Sequence, residues 1–342
     1  MFLKFILHII CNDLKIDNDM EGNNLMDFGK YLQESQNTYE LIDLSHSTLL
    51  EIIDFAISVK KNVSVRYGKQ LSCLVHNLKL LEEQYKCTLY SHQITDIFWY
   101  NFINFLTSKG MSATSIRTMY SQMKSILNWA SRYHAVISPT FNLLKLPVVK
   151  VVNIALTQDD VSRLYHFNIN SLNKRPQYKR HLERVRDMFV LSCNLGQRFS
   201  DMVRLDRSCF NRNIFSILQQ KSNVRSVVDV DRYCLDKATV YAILEKYDYN
   251  APLTTDISCY NKYLKDLCKY AGLTENIKIE RKIHGEIVTK FIPKYKLIGS
   301  HTARRTFITI NVMRNYPFHE IMRASGHKTY DAFQKYLCYS DN

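Results

Sequence analysis

Six side chains in the second half of the sequence have the types and spacing that phosphate chemistry requires. They are Arg198 in GQRFSD, Lys221 in QQKSN, His301 and Arg304 in HTAR, His327 in SGH, and Tyr336 nine residues after that histidine. Guanidinium groups hold non-bridging phosphate oxygens and neutralise the charge of a pentacoordinate transition state. A lysine or histidine can protonate the departing oxygen, and a tyrosine can attack as a covalent nucleophile. The set predicts phosphoryl transfer.

The sequence lacks the motifs that bind catalytic metal ions or nucleotides. His319 and Glu320 imitate the start of a zinc-binding helix, but the next histidine, His327, does not follow at the required fourth position. The sequence has no G-x-S-x-G motif, no G-x-G-x-x-G motif, and no carboxylate cluster of the kind that holds two metal ions. We therefore expect neither a metal nor a cofactor.

Each of these signals is weak by itself. A hairpin lysine such as Lys221 usually solvates a turn, and a Gly-His pair often caps a helix. Adjacent arginines on a helix are more often a solvated or DNA-contacting face, and Arg305 is assigned to packing or a phosphate contact. Tyr330 and Tyr339 compete with Tyr336 as the nucleophile. Only the ordered set points to one chemistry.

The elements that position this set follow from patterning. Pro147 and two Val-Val pairs predict an extended linker over 147–156, and Thr157 with Asp160 forms a capping box that opens a helix. A helix over RHLERVRDMFVLSCNLG leads to Arg198. The runs IFSILQQ and VRSVVDV around KSN predict a hairpin, and KIERKIHGEIVTKFIPKY predicts an insertion or a second hairpin. Helices close the chain.

The first half is predicted to be a helical bundle. The segment SATSIRTMYSQMKSILNWASRYH has apolar residues at helical spacing, and DIFWYNFINFLTSKG is an aromatic helix that ends at Gly110. Arg117 and Lys124 lie on the polar face of the first of these helices and are candidate DNA contacts, although this stretch alone favours a solvated face. Residues 1–60 are acidic and irregular, apart from an apolar cluster near LLEIIDFAI.

Composition agrees with a polyanionic partner. The 342 residues carry a net charge of +14, and the basic surplus lies beyond residue 100, where 37 Lys and Arg face 19 Asp and Glu. Nine cysteines without a C-x-x-C pair indicate reduced thiols and a cytoplasmic protein. The apolar N-terminal run is too short to span a bilayer, so we expect no membrane contact.

With these motifs in this order, the sequence resembles the tyrosine recombinases, or phage integrases. That family's catalytic domain runs from G-x-R-x-S-D through a hairpin lysine, H-x-x-R and G-H to a tyrosine nine residues further on. ALTQDDVSRL is similar to the usual opening of that domain, and residues 60–145 are similar to its helical core-binding domain. GHKTYDAFQKYL looks especially like integrases of bacterial mobile elements.

The resemblance implies specific roles. Tyr336 would attack the scissile phosphate and leave a 3′-phosphotyrosyl bond with a free 5′-hydroxyl, while Arg198 and Arg304 clamp the phosphate. Lys221 would act as the general acid, and His301 and His327 would assist proton handling and hydrogen bonding. The fold would be mainly α with a small antiparallel β-sheet, and its two domains would close around duplex DNA. Four protomers would assemble on two sites in the bacterial cytoplasm, on the nucleoid, and accessory DNA-bending or directionality proteins are further candidate partners.

The implied organisation is an acidic segment at 1–60, a SAM-like core-binding domain at 61–146, the linker and a catalytic domain at 157–342. Two departures from the family stand out. Only six residues follow Tyr336, which leaves the contact between protomers open, and residues 1–60 do not form a basic arm-binding domain. Recognition of core sites alone is therefore expected. The alternatives are a type IB topoisomerase-like nicking-closing enzyme and a catalytically inactive DNA-binding regulator on the same fold.

Overall fold

The computed structural model describes residues 43–61, 67–144, 146, 153–253, 255–283 and 286–337. The first forty-two residues and the last five lie outside this range. Most of the acidic segment and most of the six residues after Tyr336 are therefore outside the described residues. The chain divides between Lys150 and Val151 into two compact units, and this division falls within the segment 147–156.

In its described residues, the first unit contains four α-helices. These are α1 (Leu49–Lys61), α2 (Tyr67–Tyr85), α3 (Asp96–Ser108) and α4 (Ala113–Ala130). Helix α4 begins at Ser112, whose hydroxyl accepts from the Ser115 amide. It buries the apolar face that its sequence predicts, which comprises Ile116, Met119, Tyr120, Met123, Ile126, Leu127 and Ala130. The aromatic helix α3 contributes Trp99, whose ring lies edge-on against Tyr120 with centroids 4.6 Å apart. The helical periodicity of this half is confirmed.

Helix α1 differs from the sequence expectation of an irregular segment up to residue 60. Its side chains Ile52 and Ile53 are fully buried in the same core as α2 to α4, while Glu51 and Asp54 on the opposite face are exposed. The acidic composition therefore belongs to the solvent face of an amphipathic helix. Helical structure in this unit begins well before residue 61.

The second unit combines ten helices in its described residues with two small antiparallel sheets. The helices are α5 (Gln158–His166), α6 (Pro176–Leu195), α7 (Phe199–Met202), α8 (Val230–Tyr233), α9 (Lys237–Lys246), α10 (Ile257–Tyr270), α11 (Lys294–Leu297), α12 (Ser300–Met313), α13 (Phe318–Ser325) and α14 (Tyr330–Gln334). Helix α5 opens with the expected capping box, in which the Thr157 hydroxyl accepts from the Asp160 amide and the Asp160 carboxylate accepts from the Thr157 amide. Helix α6 is buried almost continuously over its second half and packs against α12 at the centre of the core.

The strands form one three-stranded sheet and one hairpin. Strands β1 (Phe210–Asn211), β2 (Ile214–Leu218) and β3 (Arg225–Asp229) are antiparallel in that order, and Leu218 pairs with Arg225 at the turn. Strands β4 (Asn276–Ile283) and β5 (Glu286–Pro293) pair as a separate hairpin, so the basic segment predicted as an insertion or a second hairpin is a hairpin. The mainly helical fold class with small antiparallel sheets is confirmed. Among the described helices, none is both long and apolar enough to cross a membrane.

Candidate active site

A tight turn between α6 and α7 places Arg198. Helix α6 ends at Gly196, which has a left-handed φ of +67°, and a Cβ at this position would collide with the Phe307 ring on α12. Glycine is therefore required both for the backbone angle and for the close approach to α12. The turn buries Gln197 completely and leaves Arg198 half-buried as the N-cap residue of α7. The turn therefore ends the helix that leads to Arg198 and starts the next one directly after it.

Lys221 lies in the turn between β2 and β3. The turn is closed by hydrogen bonds from the Gln219 amide to the Val224 carbonyl at 2.9 Å and from the Asn223 amide to the Gln219 carbonyl at 3.0 Å. The Lys221 side chain is exposed. Its charge nevertheless contributes to lowering the pKa of His301, so the lysine lies within electrostatic range of the other candidate residues.

Helix α12 presents Arg304 from its first turns, and the whole side chain is buried. Its guanidinium donates from Nη1 to the Gly196 carbonyl at 3.1 Å and from Nη2 to Nε2 of His327 at 3.1 Å. Its Nε is buried without a hydrogen-bond partner. Among the residues that the structure describes, no carboxylate forms an ion pair with Arg304 or with Arg198, and buried charges without a counter-ion are costly.

His327 comes directly after Gly326, the glycine that ends α13 with a left-handed φ of +67°. The single proton of the Ser325 hydroxyl is donated to the Ile321 carbonyl at 2.7 Å. The hydroxyl oxygen is therefore the acceptor in its contact with Nδ1 of His327 at 2.9 Å, and Nδ1 carries the imidazole proton. The other ring nitrogen, Nε2, is then the acceptor for Arg304. Desolvation, followed by the charges of Arg304 and Arg198, lowers the pKa of His327 to about 3. The imidazole is therefore neutral at physiological pH and acts as a hydrogen-bond acceptor.

The half-buried ring of Tyr336 lies among these arginine and histidine side chains. The chain reaches it through one more turn after α14, where the Tyr336 amide donates to the Phe333 carbonyl at 2.9 Å. Measured to the centre of the tyrosine ring, the neighbours are the His327 ring at 4.8 Å, the Arg304 guanidinium at 5.3 Å, the Arg305 guanidinium at 5.6 Å and the His301 ring at 6.4 Å.

The site carries an excess of positive charge that perturbs its own titrating groups. Desolvation and the neighbouring Arg198 lower the pKa of Arg304 to about 9, against a smaller opposing effect of Tyr336 and Asp201. His301 is exposed, yet desolvation of its imidazole and the charges of Arg305 and Arg304 lower its pKa as well. Each shift opposes a further positive charge, so the cluster is suited to an anion.

The structure brings Arg198, His301, Arg304, His327 and Tyr336 together, with Lys221 in the adjacent hairpin turn. The three remaining candidates are placed differently. Arg305, for which packing or a phosphate contact was expected, is half-buried, and its guanidinium lies over the Tyr336 ring. Arg117 is exposed on α4 in the first unit, and the Lys124 ammonium lies 5.3 Å from the centre of the Tyr120 ring. Within the described residues, no group of three or more potential ligands could hold a metal ion.

Sequence reasoning missed two buried glutamines that hold this site together. Gln219 and Gln197 are both fully buried, and the Gln219 Nε2 donates to the Gln197 Oε1 at 2.9 Å. A signal for Gln219 was present, because Phe215 and Ile217 alternate inward along β2 and Gln219 continues that alternation. A glutamine at an inward position of a strand end is unusual enough to indicate a polar partner.

The chain has the fold of the tyrosine recombinases, which confirms the fold that the sequence resemblance implied. Lambda integrase, in a dimer bound to a COC′ core site, superposes with a TM-score of 0.61 at 14% identity, covering 97% of this chain and 86% of the other. A lambda integrase tetramer bound to a Holliday junction gives a TM-score of 0.60 at 13% identity, covering 97% and 86%. The Tn1549 transposon integrase in complex with a circular intermediate DNA gives 0.59 at 14% identity, covering 85% and 95%. No protein-family model matches the chain, and neither does any curated protein.

Proposed function

We propose that this protein is a site-specific DNA recombinase that cleaves and rejoins duplex DNA through a covalent 3′-phosphotyrosyl intermediate. The observation that carries the proposal is the Arg304 guanidinium, which is fully buried, without a carboxylate partner among the described residues, and 5.3 Å from the centre of the Tyr336 ring. A buried cation beside a tyrosine is a site for an anion that the tyrosine can reach. The phosphodiester of DNA is such an anion.

In the cleavage step, the Tyr336 Oη attacks phosphorus while the bond from phosphorus to the 5′-oxygen breaks. Arg304 and Arg198 neutralise the charge that develops on the non-bridging oxygens. Lys221 donates a proton to the departing 5′-oxygen, which leaves as a hydroxyl. The phenol proton passes to a neutral imidazole, and His301 has the pKa lowered in the direction that keeps it able to accept.

Rejoining reverses the same steps. A 5′-hydroxyl gives its proton to Lys221 and attacks the phosphotyrosyl phosphorus. The bond to Tyr336 breaks, and the phenolate recovers its proton from the imidazole of His301. Because the covalent link preserves a high-energy phosphodiester, the reaction needs neither a nucleotide nor a metal ion. His327, with a pKa of about 3, serves by accepting the Arg304 hydrogen bond rather than by donating a proton.

The first unit is the proposed core-binding domain, and its α4 carries Arg117 and Lys124 as candidate phosphate contacts. Phosphate contacts position a protein on a duplex without reading its sequence. Solved proteins of the same fold are bound to DNA as a dimer on a core site and as a tetramer on a Holliday junction, which supports a DNA partner and a tetrameric assembly here.

The test is covalent trapping on nicked suicide duplexes made from the DNA that flanks the protein's own gene. We expect the wild-type protein to form a covalent adduct that survives denaturation, and Tyr336→Phe to form none because it lacks the nucleophilic oxygen. Tyr330→Phe is the matched control, since Tyr330 is 44% exposed and its ring packs on Phe318 with centroids 5.9 Å apart. This variant should retain the adduct.

The other outcomes select the alternatives. An adduct that persists in Tyr336→Phe refutes the assigned nucleophile. Binding without an adduct on any flanking duplex points to an inactive DNA-binding regulator. Relaxation of supercoiled plasmid without exchange between two sites points to a topoisomerase-like nicking-closing enzyme.

A further inference from the structure

A buried amide joins the three turns that carry Arg198, Lys221 and His327 of the proposed active site. Gln219 lies at the end of β2, two residues before Lys221, and its side chain is inaccessible to solvent. It also fills the space next to Gly326, where a Cβ would overlap the amide group. The hairpin turn, the α6–α7 turn and the turn after α13 therefore meet at one side chain.

All four hydrogen-bonding positions of this amide are used. Its Oε1 accepts from the Arg198 Nη1 and from the Ser222 hydroxyl at 2.9 Å. Its Nε2 donates to the Gln197 Oε1 at 2.9 Å and to the Ser325 carbonyl at 2.8 Å. A guanidinium only donates and a carbonyl only accepts, so the orientation of the amide follows from its partners.

We propose that Gln219 is a positioning residue, which holds the Arg198 guanidinium in place for the phosphate and couples it to the Lys221 turn and to the loop that carries His327. This inference rests on the proposed function. Arg198 is only half-buried, and in the described residues Gln219 is the side chain to which its guanidinium is hydrogen-bonded. Without that acceptor the long arginine side chain recovers its rotamer freedom.

The neutral amide suits this role better than a carboxylate. A glutamate at position 219 would hold Arg198 equally firmly, but it would neutralise the charge that the phosphate needs. It would also lack the two N–H donors, leaving the Gln197 and Ser325 acceptors buried and unpaired. Glutamine fixes the guanidinium and leaves its charge available.

The first measurement is the rate of covalent adduct formation by Gln219→Met and Gln219→Glu, with Gln220→Met as the matched control. Gln220 is the adjacent residue of the same type, and it is exposed. We expect Gln219→Met to lower the rate about 100-fold, as misplacement of a catalytic group by about 1 Å does, and the control to react like wild type. In an Arg198→Ala background the same substitution should lower the rate far less, since Gln219 then has no guanidinium to hold. Equal losses in both backgrounds refute the proposal.

The glutamate variant adds a pH profile that a purely structural role does not produce. We expect its adduct rate to rise as the introduced carboxylate is protonated at low pH, because protonation restores the free charge of Arg198. A loss that does not change with pH contradicts the proposed reason for an amide.

The last readout does not require activity. In NMR spectra of arginine-labelled full-length protein, the Arg198 guanidinium should give restrained Nη signals in wild type and in Gln220→Met, and averaged signals in Gln219→Met. Arg198→Lys assigns the signals. Restrained signals in Gln219→Met overturn the inference even where the enzyme is active. Averaged signals in that variant, together with a wild type that forms no adduct, support the positioning role and refute the proposed function instead.

Discussion

Two glycines of the second unit allow the packing around Gln219 to be measured. Gly326 and Gly272 both have left-handed backbones, with φ of +67° and +80°, and each follows a helix. An alanine at either position incurs the same conformational penalty of about 1–2 kcal/mol. They differ in their surroundings, because a Cβ at Gly326 would overlap the Gln219 amide. A Cβ at Gly272 would meet no atom of the described residues within 4 Å, apart from its own chain neighbours.

The structure therefore assigns an extra cost to Gly326→Ala. Inserting a methyl group into a filled site costs about 1–3 kcal/mol, and displacing Gln219 endangers buried hydrogen bonds that contribute about 1 kcal/mol each. We expect the free energy of unfolding to fall by about 2–5 kcal/mol for Gly326→Ala and by about 1–2 kcal/mol for Gly272→Ala. For a domain of this size each kcal/mol corresponds to about 2–4 °C in Tm.

Thermal and urea unfolding of the full-length protein are the appropriate assays. Both glycines lie in the unit that follows Val151, so both variants act on the same transition even if the two units unfold separately. The covalent-adduct assay should show a matching difference, with Gly272→Ala close to wild type and Gly326→Ala strongly impaired because Arg198 loses its fixed acceptor. Equal destabilisation by the two alanines, with equal activity, would refute the packing of Gly326 on Gln219.

Two further expectations concern titration. Unfolded His327 binds a proton near its ordinary pKa of 6.5 and the folded residue only near 3, so acidification from pH 6.5 to pH 3 lowers the free energy of unfolding, by up to about 1.4 kcal/mol per pH unit. His327→Gln removes this proton uptake, and Tm profiles against pH should show a shallower acid limb than wild type; parallel profiles would contradict the lowered pKa. Arg305→Ala removes the largest of the charges that lower the pKa of His301, so an NMR titration should place that pKa higher than in wild type. An unchanged value would mean that Arg305 does not face the imidazole.

Periodic and capping signals predicted most of the fold. The buried face of α4, the capping box at Thr157 and the β2–β3 hairpin are local features, each determined by a few residues and their immediate neighbours. Helix α1 was misjudged because the acidic composition of the first sixty residues concealed its buried Ile52 and Ile53. The average charge of a segment does not show on which face of a helix its charged residues lie.

The order and spacing of the sequence motifs predicted which charged and nucleophilic residues form the candidate site, but they did not predict the side chains that hold those residues in place. The motif order anticipated that Arg198, Arg304, His327 and Tyr336 would meet, although 138 residues separate the first from the last. The glutamines were missed because their partners are distant in sequence, and a long-range hydrogen bond between side chains leaves no periodic trace. The position of the Arg305 guanidinium over the Tyr336 ring, 5.6 Å from its centre, was missed for the same reason.

Both arginines of the site donate hydrogen bonds to neutral acceptors. This shared feature explains why the buried hydrogen bonds around them involve amides, a carbonyl and an imidazole and not carboxylates. Arg304 is fixed by the Gly196 carbonyl and the neutral His327 ring, and Arg198 is fixed by the Gln219 amide. Carboxylates in these places would stabilise the free protein more, since a buried guanidinium without a counter-ion is costly. Carboxylates in direct contact would also neutralise the guanidinium groups. Neutral acceptors fix the geometry and leave the charge available, since Asp201 opposes the lowering of the Arg304 pKa only in part. In the proposed function, a phosphate of the DNA would supply the missing counter-ion, and its binding would then stabilise the folded protein.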